Sequence, residues 1–248
     1  MIVRGAMVPH APVLVESIQP GLDAGRRLRS AIAGLDLEGV ETVIVVSPHG
    51  KGAGVYAGPN GSLTGFGISA PATRRRGDAD LGRALAEAWR RPLLDEPADF
   101  GVVVPLVLGL GGELPVVGVT LPEITGPQGA PAPDAIATAA ELTHALETIV
   151  AERDFAVVAS AHSSAGLSPR APLTEVPGAA DADAALREAL AQDPARVIEL
   201  IDDLHSMGDA CGVAPLAALT PLLSGWSNRS LRSESPFGVG YIVGEWAA

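Results

Sequence analysis

The chain has a single cysteine, Cys211, in 248 residues, so no disulfide can close within it. A lone thiol suits a reducing compartment, and a soluble cytoplasmic protein is expected. Basic residues are also few: 17 Lys and Arg stand against 29 Asp and Glu, a formal net charge of −12. That excludes nucleic acid as an expected partner, because phosphate binding draws on clustered positive charge. The one basic run, Arg74 to Arg76, reads as a solvated lead-in to a helix. No uninterrupted apolar run reaches the roughly 18 residues of a membrane span, so none is expected. Near the start, Pro9, His10 and Pro12 interrupt what would be the apolar core of a signal peptide. Internal repeats and low-complexity segments are missing too. With 47% hydrophobic and only 19% charged residues, disorder is excluded and a well-buried globular chain is expected. One domain over 1–248 is the expected organisation.

What is present centres on Thr42 to Gly50, a run of β-branched residues that ends in Pro48-His49-Gly50. Continuous apolar character from Val43 to Val46 predicts a strand buried on both faces, as in a parallel sheet. The same figure opens the chain: Ile2 to Val8 is an apolar run that also ends in Pro-His, at Pro9 and His10. A helical segment over about Leu14 to Leu35 is long enough for a βαβ crossover. Two strands joined in this way end at one edge of the sheet, the edge at which open α/β folds bind ligands. His10 and His49 are therefore expected to converge.

Further along, Gly54 to Gly67 predicts a β-hairpin turned by Asn60-Gly61. Asp78 to Arg90 predicts an amphipathic helix, and Val102 to Leu110 carries Pro105, which favours a helix first turn or a loop over a strand interior. Pro115 to Thr120 predicts a buried strand, Pro122 to Pro133 a loop, and Asp134 to Ala151 a helix with Asp134 at its cap. Phe155 to Ser160 is a third apolar run with a histidine, His162, just beyond it. Helices are predicted over Asp181 to Leu190, Pro194 to Leu204 and Cys211 to Leu223, and a last strand over Val239 to Val243.

Three of the five histidines thus follow buried strands, whereas His144 and His205 fall within predicted helices, as a surface residue and a helix-end partner. A loop histidine often does no more than bond the backbone. The shared Pro-His figure makes His10 and His49 the candidate pair of metal ligands. Two neutral imidazoles with one oxygen or sulfur donor suit Fe(II) or Zn(II). Asp209, Cys211 and Glu245 are the candidate third ligands, and spacing alone does not choose among them.

The segments VPHAPVL (Val8 to Leu14), VVSPHG (Val45 to Gly50), DFGVVVPL (Asp99 to Leu106), VVASAHSSAGLSP (Val157 to Pro169) and ACGVAPL (Ala210 to Leu216) resemble, in order and over nearly the whole chain, the class III extradiol dioxygenase family. This is the LigB superfamily, which includes the Memo-type proteins. The resemblance implies an α/β fold with a central, largely parallel sheet flanked by helices, and a non-haem iron held by His10 and His49. In ring-cleaving members the third ligand is a glutamate; Memo-type members place a cysteine before a glycine there. Cys211-Gly212 follows the second pattern, with Asp209 as an oxygen alternative, and Glu245 drops to last place.

Two departures bear on activity. Ring-cleaving members resemble Asp-His-Gly where this chain has Asp99-Phe100-Gly101, and Ser-Gly-Asp-Leu-Ser-His where it has Ser160 to Ala165. Phe100 and Ala165 therefore stand at family histidine positions, and His162 is the candidate acid/base on the same loop. The leading expectation is Fe(II)-dependent, O2-dependent cleavage of a catechol-like or aminophenol-like ring. The alternatives are a non-catalytic Memo-like metal-binding protein and, last, a zinc hydrolase. The small aromatic substrate and O2 are the expected partners, and the sequence leaves a homo-oligomer open.

Overall fold

From Val43 to Val46 successive side chains enter opposite cores: Ile44 and Val46 face one, Val43 and Val45 the other. Phe155, Val157 and Ala159 alternate in the same way with Ala156 and Val158. Period-two alternation with every position apolar is what a strand covered on both faces requires. The structure, a computed structural model, describes residues 1–68, 73–122, 133–149, 153–171, 174–206 and 210–248.

In chain order the elements are β1 (Ile2–Val8), α1 (Asp23–Ala33), β2 (Thr42–Gly50), β3 (Gly54–Tyr56), α2 (Ala79–Trp89), β4 (Leu93–Leu94), α3 (Phe100–Val107), β5 (Val116–Pro122), α4 (Pro133–Thr148), β6 (Phe155–Ser160), α5 (Ala179–Gln192), α6 (Ile201–Ser206), α7 (Val213–Leu219), β7 (Ser227–Glu234) and β8 (Tyr241–Ala247). All eight strands form one sheet in the order β4-β3-β5-β2-β6-β1-β8-β7. The inner four, β5, β2, β6 and β1, run parallel. Towards the margins the pairing turns antiparallel, β3 against β5, β8 against β1 and β7 against β8. This is the expected α/β architecture with a central, largely parallel sheet between two helical layers. Residues of α2, α4, α5, α6 and α7 contribute to the core on one face, those of α1 and α3 to the core on the other.

Two aspartates, Asp78 buried and Asp99 half-buried, fasten helices to the sheet. Asp78 caps α2 by accepting from Leu81 N, and it also accepts from the Thr42 hydroxyl at the start of β2 and from Arg153. Asp99 caps α3 through Gly101 N at 2.7 Å. Its two oxygens also accept from Ser47 Oγ on β2 at 2.6 Å and from Tyr56 Oη on β3 at 2.8 Å. An N-cap side chain is worth about 1 kcal/mol alone. Here each one additionally joins a helix to a strand.

Several expectations are corrected. The crossover helix begins at Asp23 rather than near Leu14, because Pro20 and Gly21 (φ 73°) break the run, leaving a single short helical turn at Pro12–Leu14. β2 extends through Pro48, His49 and Gly50, so His49 lies within the strand's last residues rather than beyond it. No hairpin forms over Gly54 to Gly67: β3 is a single strand paired with β5 and β4. Neither Asn60 nor Gly61 has the positive φ of a tight turn. The Asn60 amide instead clasps the Arg75 backbone in both directions.

In the basic run Arg74 and Arg76 are exposed as expected, but Arg75 is half-buried. Its guanidinium donates to the carbonyls of Leu110, Gly111 and Leu114. Pro105 lies inside α3, past its first turn. The region predicted as two helices from Asp181 to Leu204 holds α5, a 3-10 segment at Pro194–Leu200, and α6. The predicted Pro122 to Pro133 loop and the side chain of Asp134 fall outside the described residues, apart from the ends of that loop in β5 and α4. No described helix is long and apolar enough to cross a membrane.

Candidate metal centre

Because β1, β6 and β2 are parallel neighbours in the sheet, their carboxyl ends present three consecutive exits at one edge. The ladder between β1 and β6 continues one step further, with Ala161 N donating to Val8 O at 2.9 Å. That step sets His162 beside Pro9-His10. The loop after β6 is fastened on its other side by a bridge between Ser164 and Gly240, just ahead of β8. There the rings of His162 and Tyr241 meet edge to face at 6.4 Å.

The fourth contributor arrives from the segment before α7. Gly212 packs against the β6 exit so closely that a Cβ there would lie 2.2 Å from Ala161 Cβ and 2.5 Å from Ala161 Cα. Only glycine permits that approach. It brings the preceding residue, Cys211, onto the histidines.

The donor atoms converge. His10 Nε2 lies 3.0 Å from Cys211 Sγ and 3.0 Å from His49 Nε2. Cys211 Sγ lies 3.6 Å from His49 Nε2 and 3.3 Å from His162 Nδ1. His10, His162 and Cys211 likewise offer ligand atoms all within 4.8 Å of one another. Nitrogen and sulfur donors about 2.0–2.3 Å from a shared ion stand apart by about these distances. The residues therefore fit a divalent ion, and a soft thiolate with imidazoles is a donor set for a transition metal rather than for calcium or magnesium.

Electrostatics favour the same conclusion. Burial, followed by the charges of His49 and His162, holds His10 well below the usual histidine range. Burial and then His49 push His162 down to about 4. Both rings are neutral at physiological pH, the state in which an imidazole ligates or accepts a proton. Burial, with Cys211 alongside, pushes the Tyr241 hydroxyl up, so it stays protonated and able to donate.

Phe100 and Phe66 give the site an apolar wall. The Phe100 ring lies on that of His49, centroids 4.1 Å apart and planes 27° apart, and Phe66 meets Phe100 edge-on at 5.3 Å. Phe66 is 44% exposed, so the wall reaches the surface.

Of the residues singled out from sequence, the structure brings His10, His49, His162 and Cys211 together, while Asp209 lies outside the described residues. Glu245 is elsewhere. It pairs across from Ala6 on β8, and its carboxylate accepts from Asp36 N in the loop entering β2, at the amino edge of the sheet. His144 is exposed on α4, and His205 is buried in the last turn of α6. Sequence reasoning missed Ser160, whose Oγ is 3.1 Å from His10 Nδ1, and also Phe66 and Tyr241. Ser160 ends the apolar run of β6, which was the one available signal; Phe66 gave none.

Among solved structures, the chain is similar to uncharacterized protein JW3007 from Escherichia coli K12, at 16% identity over 98% of this chain and 99% of that one, with a TM-score of 0.61. At that identity the likeness is one of fold. No curated protein matches. The family model described as the catalytic LigB subunit of aromatic ring-opening dioxygenase matches residues 4–244. With the match running from β1 into β8, the chain belongs to the LigB family.

Proposed function

We propose that this protein is a non-haem Fe(II) protein that opens a catechol-type or aminophenol-type ring with O2. The observation that carries this reading is the convergence of His10 Nε2, His49 Nε2 and Cys211 Sγ at the carboxyl edge of the sheet, where open α/β folds bind ligands. These three residues would hold the ion, with Asp209 as the oxygen alternative to Cys211. Bound iron would supply the redox chemistry that lets O2 react with an aromatic ring.

The chain's own residues do the rest. His162 is neutral near pH 7 and can accept a proton from a ring hydroxyl at Nδ1 or Nε2, a role worth about 10²–10⁴-fold in rate. Tyr241, protonated and edge-on to His162, can donate a hydrogen bond to a substrate oxygen. Phe100 and Phe66 offer aromatic faces on which a planar ring can pack, in the offset or edge-on geometries such pairs prefer. They also exclude water from that side.

A second reading, metal binding without turnover, is favoured by one observation. Phe100 fills the place of a family histidine and stacks directly on His49, where it can transfer no proton. The deciding experiment is O2 uptake by anaerobically iron-loaded protein across a panel of catechols and aminophenols. Uptake dependent on substrate supports the enzyme. A ligand-induced change in the iron absorption spectrum with no uptake supports the binding protein and overturns the enzyme.

A further inference from the structure

We propose that Pro105 and Ser160 act together as positioning residues that hold His10 in the tautomer with its proton on Nδ1, so that Nε2 faces the donor cluster bare. The tautomer is a property of the metal-free chain; only its consequence for metal affinity rests on the function proposed above.

One helical amide is missing in α3. In an α-helix each carbonyl accepts from the N–H four residues on. For Gly101 O in α3 that residue is Pro105, which has no N–H. The hydroxyl of Ser160, at the end of β6, lies 2.5 Å from Gly101 O. A carbonyl oxygen only accepts, so the single proton of the serine hydroxyl is committed there. The same Oγ is 3.1 Å from His10 Nδ1. With its proton committed, Oγ presents lone pairs to the imidazole, and Nδ1–H donates to it.

The neutral imidazole, the form in which a histidine ligates, has one N–H. Nε2 is therefore unprotonated, and Nε2 is the atom 3.0 Å from both Cys211 Sγ and His49 Nε2. Ser160 is fully buried, as is Ala161 beside it. Bulk solvent therefore does not reach the hydroxyl. A proline inside a helix ordinarily destabilises it; here it leaves open the acceptor that orients the serine.

The arrangement makes an unusual statement about Pro105→Ala. Alanine restores an N–H for Gly101 O and should leave the helix at least as stable. It releases the Ser160 proton to turn towards His10 Nδ1, which drives the imidazole proton to Nε2 and blocks the ligating atom. A Ser160 that merely filled a hydrogen-bond vacancy in α3 would predict no change at His10.

The test is long-range proton–nitrogen NMR on metal-free protein with ¹⁵N-labelled histidine, paired with Zn(II) affinity measured by chelator competition. In the wild type His10 should show a protonated Nδ1 and a bare Nε2. Ser160→Ala and Pro105→Ala should both move the proton towards Nε2 and weaken Zn(II) binding about tenfold to a hundredfold, as loss of a ligand-orienting partner does. Ser160→Thr, which keeps the hydroxyl, should retain the wild-type tautomer. A wild-type His10 protonated on Nε2, or a tautomer unchanged in both Ser160→Ala and Pro105→Ala, overturns the proposal. A wild type with the stated tautomer that takes up no metal supports the proposal and removes the metal reading instead.

Discussion

Phe100 lies almost flat on His49, ring centroids 4.1 Å apart, in the position where ring-cleaving relatives are expected to carry a histidine. The ring can shield and pack, but it can neither take nor give a proton. Phe100→His should therefore raise O2 uptake with a catechol by about tenfold or more, since a positioned imidazole contributes about 10²–10⁴-fold where proton transfer limits the rate. Metal content should be unchanged. An unaltered or lower rate at full iron loading would show that Phe100 is not a lost acid/base position.

The donor triangle predicts how metal is lost. His10→Ala or His49→Ala should leave purified protein with well under half the wild-type metal, and the double variant with none, by elemental analysis of protein prepared without oxygen. Cys211→Ser should weaken binding, and comparison with Asp209→Asn identifies the third donor. Full metal retention in the double histidine variant would remove the site altogether.

His162 separates ligation from proton transfer. Its Nδ1 is 3.3 Å from Cys211 Sγ, yet the other two histidines already approach that sulfur. If it acts as acid/base, His162→Ala slows O2 uptake at least about a hundredfold while metal content stays near the wild-type level. Loss of metal in step with activity would make His162 a ligand.

Glu245 supplies a pH dependence remote from the metal centre. The side chain is 4% exposed and one carboxylate oxygen has no hydrogen-bond partner among the described residues. Burial, then the charge of Asp36, raises its pKa against the opposing Asp36 amide and the nearby arginines. A carboxyl with a raised folded pKa keeps a proton that the unfolded chain has released from about pH 4.3 upward. Stability therefore falls as pH rises through that window. Glu245→Gln should be as stable as wild type near pH 4 and more stable at pH 7, read as the midpoint of urea unfolding. A variant less stable at pH 7 than at pH 4, relative to wild type, contradicts the assignment.

The legible parts of the fold were those with a two-sided apolar pattern. β1 and β6 match their predicted bounds, and the start of β2 matches as well, because burial on both faces leaves little room for another reading. β7 was invisible: Ser227 to Glu234 is a polar margin strand, held by its ladder to β8 rather than by apolar content. Asn60-Gly61 makes no hairpin turn because the asparagine amide bonds to Arg75, a partner that local sequence does not reveal. The histidine exits could be placed from their strands. The Phe66 wall and the Pro105–Ser160 coupling depend on contacts between distant segments, which no local pattern encodes.

The sheet order also fixes when the donors can first meet. β1 and β2 are joined through α1 but are not neighbours, since β6, synthesised more than a hundred residues later, lies between them. His10 and His49 therefore hold their final separation only after a distant strand has inserted, and Cys211 follows later still. Long-range closure of this kind belongs to the late, slow part of folding. A ligand whose site is absent from the folding transition state acts on the unfolding rate alone. Saturating metal should thus slow unfolding in stopped-flow denaturant jumps and leave the refolding rate unchanged; faster refolding with metal would mean that the donors gather before the sheet closes.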